Sequence, residues 1–273
     1  LGDERRATII DGVAGSGFGA SVAVAEGEDG DVEVLVGAPD IGEVTAFDVH
    51  GNALWSVAGD VGLGTRVGWH DGHPWAWAPG GPLMMDIDET VNSGAPDAST
   101  AAAVCPDGEV LIRQDAGADI ACGSAGRVAT VCEGTTCTVQ RAGSDIDQAV
   151  TSAGSAVGFW GETACFGDAH IAQDEAQGRV RCEDGSEVQG IRGDHLGLAI
   201  AGGRAAGVFN RHARPPRARI VPLDGGEVWV VDRAAERSRI ALAAGGEIVA
   251  IGAAGFGQAD AREGRVFIVE VAQ

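Results

Sequence analysis

The chain has 273 residues, with 40 acidic against 19 basic and a formal net charge of −21. That balance argues against nucleic-acid phosphates and anionic membrane surfaces as partners, and 45% hydrophobic residues argue against a disordered chain. Glycine is the outlier at 44 residues, more than twice its usual ~7% share and without a collagen-like period, which marks tight turns and short strands.

Arg6-Ala-Thr-Ile-Ile-Asp11 reads as a lone strand ahead of the first repeat. A pattern of small residue, alternating apolar stretch and acidic or glycine turn then begins at Gly19-Ala-Ser-Val-Ala-Val-Ala-Glu-Gly27 and returns at Gly64-Thr-Arg-Val-Gly-Trp-His-Asp-Gly72. Weaker copies start at Ser99, Gly126, Ser155, Gly197 and Ser238, so the seven starts lie 45, 35, 27, 29, 42 and 41 residues apart. A second strand follows in the stronger copies, at Val34-Leu-Val-Gly-Ala-Pro39, Trp75-Ala-Trp-Ala-Pro79 and Val249-Ala-Ile-Gly-Ala253. A third opens on glycine, at Gly42-Glu-Val-Thr-Ala-Phe47, Gly178-Arg-Val-Arg-Cys182 and Gly264-Arg-Val-Phe-Ile268.

Units of three or four short strands cannot bury both faces alone, so neighbouring units must stack. The predicted fold is therefore all-β: one β-propeller over residues 1–273, with seven blades, or six if the two short repeats merge. The ends complement each other, since the last repeat stops after a third strand and the lone strand at residues 6–11 supplies a fourth that closes the ring. A β-helix or a two-sheet sandwich is the competing architecture. Between residues 99 and 155 the short spacing predicts blades of three strands.

No run approaches the ~18–20 apolar residues of a membrane span. Leu1 is not an initiator methionine, so a trimmed, secreted, periplasmic or cell-surface protein is expected, as a monomer. Cys105, Cys122, Cys132, Cys137, Cys165 and Cys182 make an even set with no Cys-x-x-Cys pair, which reads as three disulfides in an oxidising compartment. Proximity suggests Cys132 with Cys137 across a hairpin, Cys165 with Cys182 on adjacent strands, and Cys105 with Cys122.

The first repeat carries a family resemblance. Phe18-Gly19-Ala-Ser-Val-Ala, Asp29-Gly30-Asp-Val-Glu33-Val-Leu-Val-Gly-Ala-Pro39 and Gly42-Glu-Val-Thr-Ala-Phe47 together resemble an FG-GAP repeat of the integrin alpha-subunit propeller. The resemblance implies a seven-bladed extracellular propeller used for adhesion or ligand binding. It also implies a calcium loop of the form Asp-x-Asp-x-Asp-Gly-x-x-Asp between strands one and two. Asp29, Gly30 and Glu33 match its last part and Asp31 lies among them, whereas Ala25 and Gly27 stand at the first two ligand positions. Calcium needs six to eight oxygens, so the alternative is a plain solvated acidic turn. No other cofactor is expected.

Loops between strands two and three lie on the family's ligand-binding face. Here they are Phe166 to Glu175, with Asp168 and His170; Asn210 to Arg219, with Arg211, Arg214, Arg217 and Arg219; and Phe256 to Arg262, with Asp260 and Arg262. Arginine forks suit carboxylate, sulfate or phosphate groups, although these arginines could equally pair with the chain's own acids. His70, His73, Trp75 and Trp77 form an aromatic cluster that reads as core or as a sugar platform. Arg192-Gly193-Asp194 spells an adhesion tripeptide of little weight by itself. With no nucleophile elbow, zincin motif, phosphate loop or lysine, the expectation is a non-enzymatic adhesion module for a protein or glycan ligand. A lectin or polysaccharide-acting enzyme is the alternative.

Overall fold

The structure, a computed structural model, describes residues 7–26, 31–70, 73–79, 81–85, 101–104, 110–113, 120–123, 126–133, 136–141, 144–151, 156–172, 175–190, 196, 199–209, 217–225, 228–232, 240–245, 248–254 and 263–270. Every regular element among them is a β-strand. β1 (Ala7–Asp11) precedes a four-stranded sheet of β2 (Ser21–Glu26), β3 (Val32–Ala38), β4 (Glu43–Phe47) and β5 (Ala53–Ala58). β6 (Val67–His70), β7 (His73–Ala78) and β8 (Gly81–Met84) form the next sheet, and β9 (Ala101–Val104) pairs with β10 (Val110–Arg113). A four-stranded sheet follows, of β11 (Ile120–Gly123), β12 (Gly126–Glu133), β13 (Thr136–Arg141) and β14 (Ser144–Thr151). Another comprises β15 (Val157–Trp160), β16 (Thr163–Ala172), β17 (Glu175–Cys182) and β18 (Glu187–Gln189). Then come β19 (Ala199–Ala201), β20 (Arg204–Phe209), β21 (Arg217–Pro222) and β22 (Trp229–Asp232). The last three strands are β23 (Ile240–Gly245), β24 (Ile248–Ala253) and β25 (Arg265–Glu270).

The lone strand predicted at residues 6–11 is β1, and it pairs antiparallel with β25, placing Ile9 opposite Phe267. The order β1-β25-β24-β23 thus joins the two ends of the described chain in one sheet. Each four-stranded sheet is an antiparallel meander, the construction of a propeller blade. Two compact units result: residues 1–98 with 236–273, and residues 99–235. In the first, β2 touches β23 on one side and β6 on the other; in the second, β9, β11, β15 and β19 touch in succession. First strands therefore pack against first strands.

Strand two of a blade is buried on both faces, so it reads as an unbroken apolar run rather than an alternating one. In β3, Val34 and Val36 enter a core shared with Ile248, Ala250 and Ile268. Leu35, between them, enters a different core with Leu63, Val67 and Ala76. β16 divides the same way, Ala164 and Phe166 packing with Val128 and Val139, and Cys165 with Leu196, Ile200 and Val221.

Glycine sets how closely these layers approach. A Cβ on Gly37 would lie 2.0 Å from the Gly64 carbonyl oxygen, and one on Gly252 would lie 2.2 Å from that of Gly19. Gly19 and Gly64 hold φ of +80° and +86°, the left-handed region that glycine occupies without steric cost. The residue before each is a plug: Phe18 fills the first core edge-on to Phe47, with centroids 6.0 Å apart, and Leu63 fills the second. Leu196 is the equivalent plug in the second unit.

Two repeat readings need correction. Gly126 opens β12, the second strand of its sheet, because a strand-opening glycine looks alike whichever strand it opens. Of the two blades expected to have three strands each, the second has four, β11 to β14; of the first, β9 and β10 lie among the described residues.

The pair predicted by proximity at Cys165 and Cys182 is a disulfide joining register partners of β16 and β17. Cys132 and Cys137 are register partners across β12 and β13. Cys122 lies in β11 opposite Arg127, and Cys105 lies outside the described residues.

Gly37→Ala is expected to lower unfolding free energy by about 1–3 kcal/mol, the usual cost of overpacking, as read from the urea midpoint at constant slope. The double change Cys165→Ala with Cys182→Ala removes a cross-link spanning 17 residues. It should cost about 2–4 kcal/mol in the same assay.

Candidate functional site

The second unit carries a polar arrangement that includes Asp168, His170, Arg217 and Arg219. It arises because the β16–β17 hairpin outgrows its flanking strands. β15 pairs only with Thr163 to Phe166, and β18 only with Arg179 to Arg181. From Asp168 to Ala172 and from Glu175 to Arg179 the two strands pair with each other past the end of β15, with Asp168 opposite Arg179 and His170 opposite Gln177. Asp168 to Ala172 and Glu175, read from the sequence as loop, are strand. Their polarity suggested a loop because it broke the apolar run, yet a projecting hairpin needs no apolar row.

β20 and β21 project likewise past β19, pairing Gly207 with Arg219 and Phe209 with Arg217. Arg217 and Arg219 are therefore strand residues also, with Arg217 opposite Asp232 on β22. Arg211, Arg214, Asp260 and Arg262 lie outside the described residues, as does Arg192-Gly193-Asp194. The structure thus places Asp168, His170, Arg217 and Arg219 on two hairpins of one unit.

Sequence reading missed the side chains that complete this face. The Arg179 guanidinium stands 4.0 Å from the Glu187 carboxylate, which accepts a 2.8 Å hydrogen bond from the Gln189 amide. Arg181 lies over the Phe166 ring, 5.3 Å from its centroid. Arg141 of β13 pairs with Glu183 and donates 3.2 Å to the Glu162 carbonyl. The available signal was the alternation Arg179-Val-Arg181 in a strand whose even-numbered Val180 is core. Ion pairs this exposed contribute at most about 1 kcal/mol each, so their role is to hold orientation. Cations, carboxylates and amides set in alternating rows suit a ligand bearing both anionic groups and hydroxyls. Histidine is the side chain whose ordinary pKa lets it exchange protons near neutrality.

The other candidates fare differently. Trp75 and Trp77 are 5% and 4% exposed, so they pack as core and neither is open to a sugar. His73 is exposed at the start of β7, and the side chain of His70 is outside the description. Of the calcium candidates, Asp29 lies outside the described residues, and Asp31 is an exposed residue just before β3. Glu33 is a ladder residue opposite Ala25. Among the described residues no three His, Cys, Asp or Glu side chains gather to hold a metal. Glu26 pairs with Val32, and residues 27–30 between them lie outside the described residues.

No protein-family model and no curated protein matches the chain. Solved structures do. A catalytically inactive histidine-to-alanine variant of virginiamycin B lyase from Staphylococcus aureus, with quinupristin, is similar over 97% of this chain and 100% of that one, at 10% identity and a TM-score of 0.59. The selenomethionine form of the same lyase matches over 98% and 100%, at 8% identity and a TM-score of 0.56. A streptogramin B lyase matches over 96% and 97%, at 10% identity and a TM-score of 0.53.

At such identities the likeness concerns fold alone, and the fold is that of a β-propeller. It corrects the expectation of a non-enzymatic chain. That expectation rested on the lack of a linear catalytic motif, and these lyases show that the architecture hosts catalysis. Nothing in the comparisons supports an integrin-like adhesion role.

The turn that feeds β18 gives a pH test. The Asp184 carboxylate accepts hydrogen bonds from the Ser186 hydroxyl at 2.7 Å and its backbone N–H at 2.9 Å. The side-chain bond, then the backbone bond, holds its pKa below the ordinary 3.8. A depressed folded-state pKa means the contribution to stability is present above the unfolded value and is lost as pH falls through the folded one. In an NMR titration Asp184 should have its midpoint below 3.8, and Ser186→Ala should move that midpoint upward.

Proposed function

We propose that the chain is an exported propeller enzyme that cleaves an acidic polysaccharide by β-elimination at the β16–β17 hairpin. The observation that carries this is the pair of rungs Asp168–Arg179 and His170–Gln177 on a hairpin projecting past the innermost strand of its blade. Eliminating a uronate requires two things at once. A cation must neutralise the sugar carboxylate so that the adjacent C–H becomes acidic, and a base must take that proton. Arg179 supplies the first and His170 the second. The C–H electron pair becomes the new carbon–carbon double bond, the bond to the glycosidic oxygen breaks, and that oxygen leaves with a proton from water. Arg217 and Arg219 on the neighbouring hairpin bind further carboxylates along the polymer. Export is supported by the buried Cys165–Cys182 disulfide, since such bonds persist in oxidising compartments.

The test is a panel of polygalacturonate, alginate and hyaluronate, following the ultraviolet absorbance of unsaturated chain ends. Cleavage of at least one is expected. His170→Ala should lower kcat by about 10²–10⁴-fold, and Arg179→Gln should raise KM by about ten- to a hundredfold. Binding without cleavage would move the reading to a lectin. Failure of the wild type to bind or cleave any of the three, or full activity in both variants, would end it.

A further inference from the structure

A different surface, on the first unit, has no part in that reading. Three turns meet there through the backbone. The Asp40 N–H donates to the Ser16 carbonyl at 3.0 Å, and the Gly62 N–H donates to the Pro39 carbonyl at 2.7 Å. Each turn lifts one aliphatic side chain into solvent: Val13 at 68% exposure, Ile41 at 42% and Val61 at 70%. Half-buried Pro39 and Pro79 extend the apolar surface between and beyond them, since a Cβ on Gly62 would lie 2.7 Å from Pro79 Cγ. Isolated exposed aliphatics are ordinary on a protein surface. Three of them on turns stitched directly together form a patch.

Exposed acids flank these turns. Asp40 precedes Ile41, Asp60 precedes Val61, and the backbone of exposed Glu263 abuts Gly12, the residue before Val13, its carbonyl 2.4 Å from where a Gly12 Cβ would stand. Among the described residues the nearby cations are already engaged. Arg265 pairs with Asp11 and lies over Phe267, and Arg66 has a partner of its own. Apolar contact and negative charge therefore alternate across three turns of a chain whose net charge is −21. We infer that this rim docks an extended basic polypeptide segment in which Lys or Arg alternates with aliphatic residues. The aliphatics cover Val13, Ile41 and Val61, and the cations meet Asp40, Asp60 and Glu263. Charge complementarity selects the partner and steers its approach. Burying the aliphatics distinguishes it from any merely cationic chain.

The probe is a short fluorescent peptide of alternating lysine and leucine, with alternating lysine and serine as the equal-charge control, read by anisotropy at two salt concentrations. The lysine–leucine peptide should bind at least about tenfold more tightly than the control. Val13→Ser with Ile41→Ser and Val61→Ser should reduce it to the control's affinity. Asp40→Asn with Asp60→Asn and Glu263→Gln should weaken binding and flatten its salt dependence. All six positions are exposed, and an unchanged urea midpoint verifies folding in each variant. His170→Ala, on the other unit, should bind as the wild type does. Equal affinity for the two peptides, no binding of either, or undiminished binding by either triple variant would overturn the inference.

Discussion

One backbone contact recurs at three blade hand-overs among the described residues: a glycine N–H after strand four donates to the carbonyl of a glycine that belongs to strand three or opens it. Gly12 bonds Gly264 at 3.1 Å, Gly59 bonds Gly42 at 2.8 Å, and Gly190 bonds Gly178 at 2.7 Å. A Cβ on Gly264, Gly42 or Gly178 would lie within 2.3 Å of a carbonyl oxygen, that of Phe18, Asp60 or Leu196. A single hydrogen bond of this type is worth only about 0.5–1.5 kcal/mol net. The steric condition is stricter, because no side chain at all fits. Once the contact is made, the chain has only a few residues in which to reach the next first strand. That short path drops Phe18, Leu63 or Leu196 into the seam between blades. The glycine excess in the composition is thus the fingerprint of layers held at backbone distance.

What could be read from the sequence followed from this local device. The lone first strand, the second-strand runs and the Cys165–Cys182 pair all depend on short-range pattern, and the structure contains each of them. Gly126 was misplaced for the same reason, since a left-handed glycine at a strand start, φ +112° here, does not reveal which strand it starts. Register across a hairpin is not local. Nothing in Phe166 to Glu175 announces that Asp168 will stand opposite Arg179, so the sequence reads as loop where the structure has strand. Trp75 and Trp77 show the converse: of the two readings the cluster offers, core or sugar platform, their place in a doubly covered strand makes them core.

The two units use the same blade plan for different ends. In the first, strands two and three turn tightly at Pro39 to Gly42, close to the glycine contacts, and the surface that results is a set of short interlocked turns. In the second, strands two and three run on past the innermost strand, β16 with β17 and β20 with β21, the latter still flanked by β22. The innermost strand ends near Phe166 on β16 and Ala206 on β20. Beyond that line β16 and β17 carry polar rungs, Asp168 opposite Arg179 and His170 opposite Gln177, on a base fixed by apolar packing, while Gly178, opposite Ala169, still meets the Leu196 backbone.

The disulfide at the foot of the β16–β17 hairpin ties two register partners together beneath the projecting part. It therefore fixes the parity of the whole ladder above it. Lengthening or shortening the hairpin by matched pairs of residues, one pair per strand, keeps every remaining side chain on its own face. An unmatched single insertion reverses the faces from that point outward. Over evolutionary time such a hairpin can grow or shrink in quantised steps while the blade below it stays unaltered. A designer could use it the same way, as an adjustable mast grafted onto a fixed foundation.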